Sequence, residues 1–123
     1  MEILKLSTKY KARRLDKEDV DIIYNMRYPN DMFYQHHPPV VTRESILKDM
    51  EALPPGKGEE DKLYLGFFEK ETLVAVMDLI LKFPEEETAY IGLFMIDIKY
   101  QNKGIGSHII GEVTEQLKLC GYL

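Results

Sequence analysis

Near the end of this 123-residue chain a turn, two glycines and a helix follow one another in an order that can hold an anion. Gln101-Asn102-Lys103-Gly104-Ile105-Gly106 leads into a run in which Ile109, Ile110, Val113, Leu117 and Cys120 share one helical face. Three effects make such a junction attractive to phosphate. The N–H groups of a first helical turn lack intrahelical partners, and the helix dipole places partial positive charge there. Successive turn N–H groups also converge into a concave nest. At Gly104 and Gly106 no Cβ is present to hold a phosphate away from the backbone. Gly121 stands where a helix C-cap belongs.

Other reactive residue types carry less. His36 and His37 are adjacent and lack the spacing of a folded metal site, and Cys120 is remote from them, so no metal is expected. Cys120, on the apolar helix face, reads as a small core residue rather than a nucleophile. His108 reads as facing solvent, and Glu85-Glu86-Glu87 as a solvated hairpin tip.

The elements that must position the glycine turn follow from periodicity and punctuation. Tyr10 to Leu15 reads as a first strand, with Tyr10, Ala12 and Arg14 on one face. Asp16 is a candidate N-cap, with Glu18 and Asp19 in the first turn of a helix that Pro29 and Asn30 close after Tyr28. Asn30 to Val41, with Pro38 and Pro39, reads as a loop. Thr42 opens a second helix, which Pro54, Pro55, Gly56 and Gly58 end. Lys62–Phe68 and Thr72–Leu81 form a hairpin pattern, and Ala89–Ile96 extends it as a third strand of a meander.

Bulk properties bound the class. One domain, residues 1–123, is all this length supports. The 45% hydrophobic and 30% charged residues are the balance of a soluble globular protein. No apolar stretch approaches the roughly 20 residues that cross a bilayer, and Met1–Tyr10 has no secretory apolar region. A membrane location is therefore not expected. The net charge of −5, without a basic stripe, speaks against nucleic acid. A lone cysteine fits the reducing cytoplasm.

Gln101-x-x-Gly104-x-Gly106, after an apolar strand and before a helix, resembles the acetyl-CoA signature of the GNAT superfamily of N-acetyltransferases. The order strand, two helices, three antiparallel strands, signature and helix is similar to that superfamily's first half, from Tyr10 to Gly121. The resemblance implies an α/β GNAT-like fold, with a mixed, mostly antiparallel sheet flanked by helices. The superfamily's C-terminal strands and helix would be missing. It implies that the backbone of Gln101, Asn102, Lys103, Gly104, Ile105, Gly106 and Ser107 binds the pyrophosphate of acetyl-CoA. Phe94, Met95 and Ile96, on a bulged strand, would pair with the pantetheine arm, and an N–H near Phe94 would polarise the thioester carbonyl.

The implied reaction is direct attack of an amine, of a small molecule or a protein, on the thioester; a base must remove the ammonium proton. Where relatives place a glutamate base this chain has Tyr90, and a phenol of ordinary pKa near 10 is a poor base at neutral pH. Glu87 and Asp78 have the right chemical type. Phe33 and Tyr34 are candidates for the acceptor pocket. An uncovered β-edge and a partly uncovered face of the last helix imply a homodimer or other self-association. Two alternatives stand beside this reading: a non-catalytic truncated module that still binds CoA or only self-associates, and an unrelated phosphate or nucleotide site. The absence of Gly-x-x-x-x-Gly-Lys-Ser/Thr speaks against a nucleotide hydrolase.

Overall fold

A computed structural model describes residues 2–34 and 41–122. Four strands form one antiparallel meander in the order β1 (Lys11–Arg14), β2 (Lys62–Glu69), β3 (Thr72–Leu81) and β4 (Ala89–Ile96). Two helices, α1 (Val20–Tyr34) and α2 (Arg43–Glu51), cover one face of the sheet. The other face receives α3 (Ile105–Leu119) and the N-terminal turn Ile3–Leu6. Among the described residues no helix is long and apolar enough to cross a membrane.

Alternation along the strands sends side chains to two cores. Leu63, Leu65, Phe67, Val74, Met77 and Leu79 pack toward α3, where Ile109 and Val113 are fully buried. Tyr64, Phe68, Leu73 and Val76 pack toward Ile23 and Met26 of α1 and Ile46 of α2. Each such aliphatic side chain contributes about 1.5–3 kcal/mol when fully buried. The α3 face expected to lie partly uncovered is closed by the sheet, with Leu117 only 7% exposed. Tyr10 and Ala12 point inward as expected, whereas Arg14 is exposed.

Local signals set the helix starts. Asp16 accepts the Glu18 N–H at 2.8 Å, and the Asp19 carboxylate accepts the Asp16 N–H at 2.9 Å. Arg13 holds that carboxylate with two guanidinium donors, at 3.0 and 2.9 Å. Thr42 Oγ1 accepts from the Ser45 N–H at 3.0 Å while Ser45 Oγ accepts from the Thr42 N–H at 2.9 Å. These reciprocal pairs satisfy donors that a helix start would leave bare.

The first helix departs from expectation. It runs through Pro29 to Tyr34, so Asn30 is helical and the loop begins later. A proline removes one donor, leaving the carbonyl four residues back without its bond. Here Pro29 and Asn25 both lie on the exposed side of the helix, where such a loss costs less than in the core. Asn30, by contrast, is buried and secures the turn beyond the proline. Its Nδ2 donates to Met26 C=O at 3.3 Å and to Ile96 C=O at 3.1 Å.

The C-terminal end of α3 closes as a Schellman motif. Gly121, at φ +94°, donates its N–H to Lys118 C=O at 3.0 Å, and the Tyr122 N–H reaches Leu117 C=O at 2.9 Å. Cys120, expected in the core, is exposed. It occupies the C-cap at φ −89°, where the chain has left the helical path that carries Leu117 inward.

Candidate functional site

The glycine turn is built around an open helix end. Beyond β4 the chain makes a short turn at Ile98–Tyr100, and Asn102 and Gly104 take left-handed conformations, at φ 63° and 76°. Gly104 serves as the N-cap of α3 without a side-chain cap. The first intrahelical bond runs from the His108 N–H to Gly104 C=O at 3.1 Å, so the N–H groups of Ile105, Gly106 and Ser107 lie ahead of it. They border a cavity of about 310 Å³ lined by Ile96, Tyr100, Gln101, Asn102, Gly104 and Ser107, among others.

The two glycines do different work. A Cβ at Gly104 would meet nothing within 4 Å, so its absence leaves the mouth of the turn open. A Cβ at Gly106 would point instead at Phe94, 3.6 Å away, and Ile96, 3.7 Å away. A Cβ at 106 would therefore make ordinary van der Waals contact with β4 side chains. Exclusion of a phosphate by bulk concerns Gly104 alone.

Gln101 is the staple of the turn. Its Nε2 donates to Asn30 Oδ1 and to Ile96 C=O, the latter at 3.0 Å. Asn30 donates to the same carbonyl, so α1, β4 and the turn meet at one backbone atom. Asn30 is not among the residues expected at the site. Its partners lie 66 and 71 positions away in sequence, and nothing local announces them.

β4 is an edge strand of the described sheet. The Asp97 N–H donates inward to Val74 C=O at 2.7 Å, so the Ile96 carbonyl and the backbone groups of Phe94 point to the open side. A bulge interrupts the ladder: Asp78 pairs with Leu93 and Leu79 with Ile91, leaving Gly92 unpaired. The bulge lies two residues before Phe94, and it turns Phe94 and Ile96 toward the α3 core while Leu93 and Met95 face α1 and α2.

Two of the three candidate bases meet at that bulge. A Cβ at Gly92 would stand 3.5 Å from Tyr90 Cε1 and 3.7 Å from Asp78 Oδ2. Tyr90 is half exposed and lies edge-on to Phe83, with ring centroids 5.6 Å apart. Glu87 sits apart, exposed in the β3–β4 turn. Burial raises the Asp78 carboxyl above the usual carboxylate range, with Lys62 opposing that shift. Lys62 Nζ lies 3.2 Å from Asp78 Oδ2, and its side chain is only 5% exposed.

Around this pair the α1/α2 face carries polar groups, and a cavity of about 370 Å³ bordered by Met50, Glu51, Lys62 and Tyr64 lies beside it. Tyr64, directly opposite Asp78 in the ladder, is buried, and its phenol is raised by desolvation with Arg27 pulling it back. Arg27 holds Asp49 at 3.1 Å. Asp78 Oδ1, the Tyr64 hydroxyl and Arg27 Nε make no hydrogen bond among the described residues. The side chains of Phe33 and Tyr34, like His36 and His37, lie outside the described residues, and among those described no cluster of metal-ligating groups occurs.

Comparisons with known proteins bear on this geometry. Residues 20–123 match the family model described as the acetyltransferase (GNAT) family. A sequence comparison with curated proteins gives no match. Among solved structures, an acetyltransferase from Thermus thermophilus is similar with a TM-score of 0.75 and 19% identity, over 99% of this chain and 74% of that one. The PaiA N-acetyltransferase of Thermoplasma acidophilum, in complex with coenzyme A, is similar with a TM-score of 0.63 and 21% identity, over 93% and 75%. An aminoglycoside acetyltransferase from an uncultured soil metagenomic sample, in complex with sisomicin, gives 0.58 and 17%, over 94% and 74%. Likeness at these identities establishes the fold.

Proposed function

For a chain that belongs to the acetyltransferase (GNAT) family, we propose N-acetyl transfer from acetyl-CoA to an amine, with Asp78 as the general base. The observation that carries this reading is the Asp78 carboxylate of β3 beside the Gly92 bulge of β4, 3.7 Å from the space a Cβ would take, with β4 at the edge of the described sheet where the donor could lie. The donor fits the residues present. The bare N–H groups at the start of α3 suit a pyrophosphate, and the outward backbone groups of Phe94 suit an amide-bearing arm laid along β4.

The chemistry balances on those groups. The substrate ammonium gives one proton to Asp78, and its freed lone pair forms the C–N bond at the thioester carbonyl. An N–H at the edge of β4 stabilises the developing oxyanion. The C–S bond then breaks, and the departing thiolate takes up the proton that the new amide nitrogen sheds. A carboxyl raised by burial is a stronger base than an ordinary aspartate, which suits it to the first step. Tyr90 walls the same space, and Glu87 is too far out on its turn to share it.

Turnover with a panel of primary amines, followed by free-thiol release, tests the proposal. Asp78→Asn is expected to lower kcat/KM by about 10²- to 10⁴-fold while acetyl-CoA affinity, measured by calorimetry, stays within twofold. Full turnover by the variant would remove Asp78 from the mechanism. Self-association through the same β4 edge belongs to this reading, since an unpaired edge is a template for a second strand. Sedimentation should then show a dimer that acetyl-CoA competes away; a dimer indifferent to acetyl-CoA would place the contact elsewhere. A reducing cytoplasm suits the exposed Cys120 thiol.

A further inference from the structure

We propose that Lys62 is a positioning residue for Asp78: its buried ammonium fixes the carboxylate against the bulge at Gly92 and ties it to the end of α2. The inference rests on the reading of Asp78 as the base. It starts from an arrangement that ordinary stability does not ask for. A lysine buried on the first position of β2 loses its hydration, a cost that apolar residues in place of both Lys62 and Asp78 would avoid.

The ammonium is fully used. It donates to the backbone carbonyls of Asp49 and Ala52 and to Asp78 Oδ2, three acceptors for three N–H donors. Both carbonyls belong to the C-terminal end of α2, where the helix leaves its last acceptors bare and a cation is favoured. Lys62 thus joins a helix end to a single carboxylate oxygen. That oxygen is the one nearest the space at Gly92. Its second lone pair remains for an incoming proton.

The surroundings leave Lys62 as the nearest compensating charge. From β2, Tyr64 faces Asp78 across the ladder as a buried, neutral phenol. From α2, Asp49 adds a negative charge, and it is engaged by Arg27 of α1 at 3.1 Å. From β4, Tyr90 presents a ring edge near Gly92. Without Lys62, burial and Asp49 would both act to neutralise Asp78. A neutral carboxyl cannot accept the ammonium proton.

The test compares Lys62→Gln, which keeps amide donors for the α2 carbonyls and loses the charge, with Lys62→Arg, which keeps the charge. Two readouts are needed. The Asp78 carboxyl is titrated by ¹³C NMR in the free protein, and the pH profile of kcat/KM is recorded with acetyl-CoA and an active amine. In Lys62→Gln the Asp78 titration is expected to move up by about one unit or more. The acidic limb of the profile should move with it, so that the loss is tenfold or greater at low pH and fades as pH rises. Lys62→Arg should restore most of both.

An Asp78 titration unmoved in a folded Lys62→Gln protein would overturn the proposal, as would a rate loss equal at every pH. A titration that moves while the profile stays fixed supports the Lys62–Asp78 linkage and instead removes Asp78 as the base. Should Lys62→Gln fail to fold, Lys62→Arg carries the test alone. A wild-type titration and rate in that variant support a role for charge, and a rate lost equally at all pH values overturns it.

Discussion

On the α3 side of the sheet the groups that would bind the donor belong to the backbone, whereas on the α1/α2 side the groups that would act on the acceptor are side chains. The N–H groups of Ile105, Gly106 and Ser107 are placed by one short turn, and any sequence that makes the turn makes the site. Lys62, Tyr64, Asp78, Arg27 and Asp49 come from four elements and become a cluster only when strand register and helix packing are both correct. A backbone site is therefore robust to most substitutions and sensitive to charge or bulk at its mouth. A side-chain cluster is lost residue by residue.

The sharpest way to test that contrast is Ser107→Glu. Residue 107 is exposed in the first turn of α3, where a carboxylate meets the positive end of the helix dipole. The fold should be stabilised slightly, by about 0.3–1 kcal/mol. A bound pyrophosphate would meet the same carboxylate as a like charge, so acetyl-CoA affinity should fall by about 100-fold, with RT ln 100 near 2.7 kcal/mol. Thermal melts and calorimetry on one sample separate the two effects. A variant that is more stable and still binds would show that the donor does not sit at this helix end.

This contrast also decides what the sequence made legible. The glycine turn, the caps at Asp16 and Thr42 and the closing Gly121 are local, and each element predicted from them is present. The meander follows from alternation, and β3 and β4 occupy the spans expected of them, Thr72–Leu81 and Ala89–Ile96. Pro29 misled because a proline's cost depends on whether its orphaned carbonyl meets water, which is a tertiary fact. Cys120 misled because helical spacing was extended one residue beyond the helix. Asp78 was identifiable by chemical type alone. Its partner Lys62, sixteen residues earlier in sequence, required the β2–β3 register, which places Lys62 opposite Ile80 and within reach of Asp78.

Asn30 is the residue that joins the two faces, and removing it should blur the comparison. It lies on α1, yet its amide serves Ile96 of β4 and Gln101 of the donor turn. Asn30→Ala leaves the Gln101 amide as the remaining described side-chain donor to Ile96 C=O and removes one of that amide's two described acceptors. The expected loss is about 2 kcal/mol of stability, read by urea denaturation, together with a several-fold weaker affinity for acetyl-CoA as the turn loosens. Unchanged affinity alongside the lost stability would mean that the turn holds its shape without α1.

Glu112, like Gln101, is a side chain that carries structure on the α3 side. It accepts from the Ser7 hydroxyl and the Thr8 N–H, each at 3.1 Å, and from the Thr8 hydroxyl, and it lies 3.0 Å from His108 Nε2. Burial pushes its carboxyl up, but the bonds from Thr8 and Ser7, with His108 nearby, outweigh burial and hold it below the usual range. A carboxyl lowered in the folded state adds stability that is complete above its unfolded value and is lost as pH falls through the lowered one. Glu112→Gln should therefore cost about 1 kcal/mol near neutrality, the worth of a hydrogen bond to a charged group less that of its neutral replacement. The wild-type and variant melting curves should converge as the pH drops below the ordinary carboxylate range. A gap that stayed constant down to acid would assign the tether to shape rather than charge, and the α3 side would then be as indifferent to side-chain ionisation as its backbone site suggests.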